Sequence, residues 1–347
     1  SLFIAFEKLK YLSIISITTS LIKLIASIIV IYSKSNVTTI AIVLTIIEFI
    51  SLIISSIITL SVFPGLNFNF DLRFSINQIK KGFPLFLIAI FGTLDNRLDV
   101  LIISLFFNEE AVGYYAAMNT FVGALILISE GIRNAIFPIL ARYKITNDKK
   151  LDEIIQTLGK YIIIITFPIS VGTYLYAEDI INLLFGSEYI LSVTMLRIVV
   201  WILCGYSLTV VITRLLIVHD KENQVVLLFF ISGLLTLILN VLFTPRLGII
   251  SVAYIRLITT YIMLLTSLIF LYNQGYRIKR PKIFLNIFLA CFIMIIIVLI
   301  FQPNGPLLGF TISLIIYSLL IIYLDVITSN DVKLWKGILH NFLNSSD

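Results

Sequence analysis

Five charged residues interrupt two apolar runs between Phe91 and Pro138: Asp95, Arg97 and Asp99 in the first, Glu130 and Arg133 in the second. Asp95 and Asp99 are four positions apart and share a helix face, while Arg97 points about 160° away from them. Two carboxylates on one face repel when both are ionised, so a cation or a proton belongs between them, and Na+ or H+ fits. Arg97 and Arg133 offer planar guanidinium forks, which suit carboxylate or phosphate. Glu130 and Arg133 are three apart, so they can pair on one helix, either as an internal ion pair with a packing role or as part of a working site. Lys23, Glu48, Arg197 and Arg256 also lie well inside apolar stretches, and Arg214, near an end, is placed to snorkel. The interior bases Lys23, Arg97, Arg133, Arg197 and Arg256 outnumber the interior acids Glu48, Asp95, Asp99 and Glu130 by one. A wet cavity with that surplus suits an anionic substrate.

The elements that position these charges are membrane helices. Hydrophobic residues make up 59% of the 347-residue chain and charged residues only 13%, about half the share usual in a water-soluble domain. The mean hydropathy is +1.07. A charge at the centre of a bilayer costs roughly 2.5–3.5 kcal/mol even on the lenient insertion scale, so the interior charges need water or partners. Ten apolar stretches approach the ~20 residues a spanning helix needs: 11–32, 39–62, 83–107, 113–140, 161–185, 189–217, 223–243, 248–272, 283–301 and 307–327. Backbone in lipid must satisfy its own hydrogen bonds, so each is helical. The expected fold is an all-α polytopic membrane bundle.

Basic residues set the orientation. Alternate connections hold seventeen Lys and Arg on one side, among them Lys80, Lys81, Lys149, Lys150, Lys160 and Lys279, against only Lys34 and Arg246 on the other. Both ends of the chain are therefore expected on the cytoplasmic face of the cell membrane. The pI near 9.1 reflects this loop bias and gives no nucleic-acid signal. Apolar residues at helical spacing beside lysines, at 72–83, 151–158 and 335–342, read as helices lying on the membrane surface. The start, SLFIAFEKLKY, has no initiator Met or signal-peptide pattern and reads as the beginning of a fragment.

Catalysis is disfavoured. Cys204 and Cys291 fall in different apolar spans, where small thiols act as core hydrophobes. His219 and His340 are far apart, no nucleophile–base set stands at useful spacing, and no metal or cofactor is expected. The outward loops are about ten residues or fewer, too short to carry the acids of a polysaccharide polymerase, and Glu109–Glu110 reads as a solvated turn. A membrane glycosyltransferase or polymerase is thus the weaker reading. A cation-coupled multidrug exporter is the nearer alternative, although it calls for an acidic cavity.

Several stretches carry a resemblance: FIAFEKLKY (3–11), LDVLIISLF (98–106), VGYYAAMNTF (112–121), IRNAIFPILAR (132–142), AEDIINLLFGSEY (177–189) and NVLFTPRLGIISVA (240–253). Together they resemble the Wzx-type oligosaccharide flippases of the multidrug/oligosaccharidyl-lipid/polysaccharide exporter superfamily. The resemblance implies the last ten helices of a fourteen-helix, two-lobe fold. Residues 1–70 would be the remnant of the N-terminal lobe, 71–275 the C-terminal lobe of six helices with a surface helix, and 276–347 two extra helices with an amphipathic tail. It implies alternating access that moves a polyprenyl-pyrophosphate-linked oligosaccharide from the inner to the outer leaflet for O-antigen-type surface polysaccharide. Membrane lipids, a polymerase and glycosyltransferases are the implied partners. The lipid II flippase of that superfamily has a cation site, and the likeness aligns Asp99 with its acid and brings Asn240 and the 251–256 stretch to its other positions. Arg256 departs from the pattern and is placed to act as counter-ion to Asp99 instead of a bound cation. Substrate contacts are assigned to Arg97, Arg133, Arg256, Lys23 and Arg197, and coupling to Asp95, Asp99, Glu130 and Asn240.

Overall fold

The computed structural model describes Phe3 and residues 9–33, 36–63, 72–146, 148–276, 281–301 and 306–326. Within them every extended element is helical: α1 Leu9–Tyr32, α2 Val37–Val62, α3 Leu72–Phe106, α4 Glu109–Thr146, α5 Asp148–Leu175, α6 Ala177–Leu184, α7 Ile190–Val199, α8 Ile202–Val218, α9 Glu222–Leu247, α10 Ile250–Asn273, α11 Pro281–Phe301 and α12 Pro306–Tyr323. A short 3₁₀ turn, Ser187–Tyr189, joins α6 to α7.

By length and apolarity six of these helices can cross a membrane, or seven if α7 and α8, bent by 48° at their junction, form one span. Helices α3, α11 and α12 lie where the remaining three of the ten expected spans were placed, but they fall outside that measure. In α3 the reason is its charge: Lys80, Lys81, Asp95, Arg97 and Asp99 break the apolar run. The chain is a multi-pass membrane protein, with large exposed apolar side chains such as Ile29, Leu52, Leu105 and Ile258 covering its helices.

The chain divides into two units, Ser1–Ile79 and Lys80–Asp347. In the first, α1 and α2 pack side by side, and Lys23 Nζ donates to Glu48 Oε1 at 2.6 Å across the pair. Phe3 is buried against Tyr11 and Phe63. In the second unit three apolar cores form, of which two surround the site. One joins α4, α5, α8, α9 and α10 through Leu140, Leu158, Ile162, Leu215, Leu228 and Leu264. The other joins α3, α4, α6, α7 and α10 through Ile103, Met118, Ile181, Met195, Leu196 and Val252. Ile154, Ile155 and Leu158, expected to lie on a membrane-surface helix, are buried in the first core, because α5 starts at Asp148 and runs unbroken into the bundle. The 72–83 segment is likewise the first part of α3. The amphipathic 335–342 segment lies outside the described residues.

Local sequence explains the joints that matter for the site. Asn108 accepts the Ala111 amide at 3.0 Å, capping α4, and Glu109 and Glu110 occupy its first turn, where negative charge is favoured. Gly248 sits at φ 79°, ψ 177°, backbone open essentially to glycine alone, and turns the chain so that α10 returns against α9. The α7–α8 bend has no proline or glycine at the break. There, Ser170 of α5 donates to the Val200 carbonyl at 3.2 Å and Tyr261 of α10 to the Trp201 carbonyl at 3.0 Å. The Val200 carbonyl also accepts the Leu203 amide at 3.1 Å, so the Ser170 bond is added to a backbone bond at the break, where side chains from α5 and α10 engage the helix carbonyls.

Candidate functional site

The two aspartates of α3 meet at a buried polar junction of four helices. Asp95 and Asp99 are 7% and 1% exposed. Arg256 of α10, 161 residues further along the chain than Asp95, donates through one terminal nitrogen to both the Asp95 carboxylate and the Asp95 carbonyl, each at 3.0 Å. Its Nε stands 3.8 Å from Asp99 Oδ2. Tyr115 of α4 donates to the same Asp99 oxygen at 2.8 Å, and Asn240 of α9 donates to the other at 3.3 Å. Ser232 and Thr236 of α9 donate to Asp95 Oδ1 at 3.2 and 3.4 Å.

The α9 contribution follows from periodicity. Ser232, Thr236, Asn240 and Thr244 recur every four residues, so they form one polar stripe on an otherwise apolar helix. Thr244 donates to Asn240 Oδ1 at 2.9 Å and Ser251 of α10 to Thr244 at 3.3 Å, which extends the stripe to the Gly248 turn. Small polar residues at helix contacts let helices approach closely and bond across the seam.

Electrostatically the junction holds two carboxylates and one guanidinium. Removing three charges from water is expensive, and only close pairing with hydrogen bonds to every remaining oxygen offsets it. All four carboxylate oxygens meet such donors here. Arg256 therefore stands where a cation between the aspartates was expected, and its fork is occupied by protein acids.

The other nominated residues divide cleanly. Arg197 of α7 lies 3.7 Å from Glu178 of α6, and Lys23 lies 2.6 Å from Glu48; both pairs are substantially exposed, where an ion pair is worth little. Glu130 of α4 accepts the Tyr206 hydroxyl of α8 at 2.9 Å. The Arg133 side chain lies outside the described residues. Arg97 projects from the face of α3 opposite Asp95 and Asp99 and is exposed. Among the described residues it has no ion-pair or hydrogen-bond partner. Of the nominated cations whose side chains are described, Arg97 is the one whose charge no acid meets.

Tyr115, Ser232, Thr236 and Thr244 were not picked out from the sequence. The four-residue stripe on α9 was there to be read. Tyr115 left no comparable mark, since an aromatic in an apolar run reads as core.

Residues 5–194 match the family described as "Polysaccharide biosynthesis protein". A curated relative, the "Probable low-salt glycan biosynthesis flippase Agl15" of Haloferax volcanii, is 25% identical over 166 residues, 48% of this chain and 35% of that protein. The chain thus spans about a third of the length of that relative. Among solved structures, "Lipid II flippase MurJ, inward closed conformation" superposes with a TM-score of 0.68 at 21% identity, covering 90% of this chain and 67% of the other. The fold is shared with that structure.

Proposed function

The chain belongs to the polysaccharide biosynthesis protein family, and on that premise we propose that it moves a lipid-linked oligosaccharide between the leaflets of the cell membrane by alternating access. The observation that carries this reading is Arg97. A guanidinium exposed within the apolar 83–107 stretch of α3, with no acid among the described residues to neutralise it, calls for an aqueous cavity or an anionic ligand. A planar fork with several free donors suits the phosphate oxygens of a polyprenyl-pyrophosphate headgroup. Arg133, on α4, is assigned the same class of contact, and Lys23 and Arg197, whose pairs with acids are exposed and weak, are assigned contacts to sugar acids.

Arg256 takes a different part in this reading. Held by both aspartates, it is a fixed counter-ion that stands in for a mobile coupling cation. Asp95, Asp99, Asn240 and Glu130 then hold the junction's polarity in register. Transport needs no chemical step by the protein, because outward movement of a negative headgroup along the membrane potential releases roughly 2.3 kcal/mol per charge per 100 mV. Glycosyltransferases supply the substrate on the cytoplasmic side and a polymerase consumes it outside.

The test is accumulation. Deleting the gene traps lipid-linked units on the cytoplasmic leaflet, and the intact wild-type protein clears them. An Arg97→Gln protein present in the membrane at normal level leaves them trapped. Clearance at the wild-type rate by Arg97→Gln refutes the assignment of Arg97, and unpolymerised units outside the deleted cell point to a polymerase instead.

A further inference from the structure

Helix α5 contains Pro168. A proline within a helix has no amide to give to the carbonyl four residues earlier, here that of Ile164. The structure satisfies that carbonyl from another helix: the Tyr317 hydroxyl of α12 donates to it at 2.8 Å. Tyr317 is buried, and the seam around it is built from Ile163, Val171, Cys291, Met294 and Ile321. In so apolar a place an unmet carbonyl is costly, so the bond is demanded by the proline and is not incidental to packing.

Two further bonds lie along the same seam. Lys160, one helical turn before Ile164, is buried and donates to the Val326 carbonyl just beyond α12 at 2.9 Å. Asn286 of α11 donates to the Leu324 carbonyl at 3.1 Å. The turn that follows α12 is thus held by a cation from α5 and an amide from α11. Lys160 was counted in the sequence as a loop cation, but the fold uses it inside.

We propose that Pro168 and Tyr317 form a docking latch: the proline exposes a backbone acceptor on α5, and the tyrosine hydroxyl occupies it, fixing the α11–α12 pair on α5 in one register. Apolar packing alone permits sliding along the seam, whereas a single acceptor at a single height does not. The latch is independent of what the protein transports.

A double-mutant cycle on the purified full chain, read as thermal unfolding in detergent, tests it. Tyr317→Phe removes only the hydroxyl. Pro168→Ala restores the amide that bonds the Ile164 carbonyl within α5. In the wild-type background Tyr317→Phe lowers the midpoint by about 1–2 °C, the shift expected for one net hydrogen bond in a chain of this size. In the Pro168→Ala background the same change costs less than half of that. Lys160→Met, whose bond does not use the freed carbonyl, serves as control and gives equal losses in both backgrounds. Equal losses from Tyr317→Phe in both backgrounds overturn the latch. Should Pro168→Ala not fold, Pro168→Ser or Pro168→Leu restores the same amide and completes the cycle.

Discussion

Removing Arg256 is the sharpest test of the polar junction. Arg256→Ala leaves Asp95 and Asp99 buried at 7% and 1% exposure with no counter-charge and takes two donated bonds from Asp95. Breaking a buried ion pair by deleting one partner destabilises by about 3–5 kcal/mol. Neither partner is exposed enough for solvent to discount that figure: the pair's side chains are 13% and 10% accessible. With an unfolding entropy of about 2.1 cal/mol/K per residue, 347 residues give roughly 0.7 kcal/mol/K, so the loss appears as a fall of about 4–7 °C in the midpoint. Differential scanning fluorimetry of the detergent-purified protein reads such a shift directly. The charge logic supplies its own control: Arg256→Ala with Asp95→Asn removes one of the stranded carboxylates and recovers part of the loss. Arg256→Lys falls between wild type and alanine, because one ammonium cannot serve both Asp95 oxygens and reach Asp99. A fall below about 1 °C for Arg256→Ala, or a double variant no more stable than the single one, means that the pair contributes nothing net and the account of the junction is wrong.

Other outcomes follow from the same geometry. Tyr115→Phe removes the shortest bond to Asp99 and costs about 1–3 kcal/mol, since a buried carboxylate oxygen loses a donor; the cost disappears in an Asp99→Asn background if Tyr115 acts through that oxygen, which chemical denaturation or fluorimetry measures. Gly248→Ala forces a side chain into glycine-only backbone and destabilises by about 1–3 kcal/mol, although the space around it is open; an unchanged midpoint indicates that the turn relaxes. Arg97→Gln, by contrast, leaves the unfolding midpoint within about 0.5 kcal/mol of wild type, as a surface change away from buried features should, while clearance of lipid-linked units by the intact protein is lost. Arg97→Lys keeps the charge without the fork and retains partial clearance in the same assay, a result that separates bidentate recognition from simple attraction.

Composition and the ten apolar runs determined the class of this protein, because a helix that must close its own hydrogen bonds in lipid leaves a length and apolarity mark that needs no partner to be read. The start of α4 was less legible: Glu109–Glu110 read as a solvated turn, whereas the structure places both in the helix's first turn behind an Asn108 cap. Spacing placed Asp95 and Asp99 on one face of α3 and Arg97 on the other, and the structure keeps that division. Only the tertiary structure decided what each charge is for. The helical period fixes which residues share a face but not which other helix that face meets, and Arg256 reaches Asp95 across 161 residues of chain. It removed Arg256 from the set of cations without an acid and left Arg97 in it. It buried Ile154, Leu158 and Lys160, which as sequence looked like membrane surface, because an amphipathic basic segment reads the same whether lipid or protein covers its apolar side. Tyr115 and the Tyr317–Ile164 bond were invisible beforehand for the same reason: a tyrosine in an apolar run announces its ring, and only packing reveals where its hydroxyl goes.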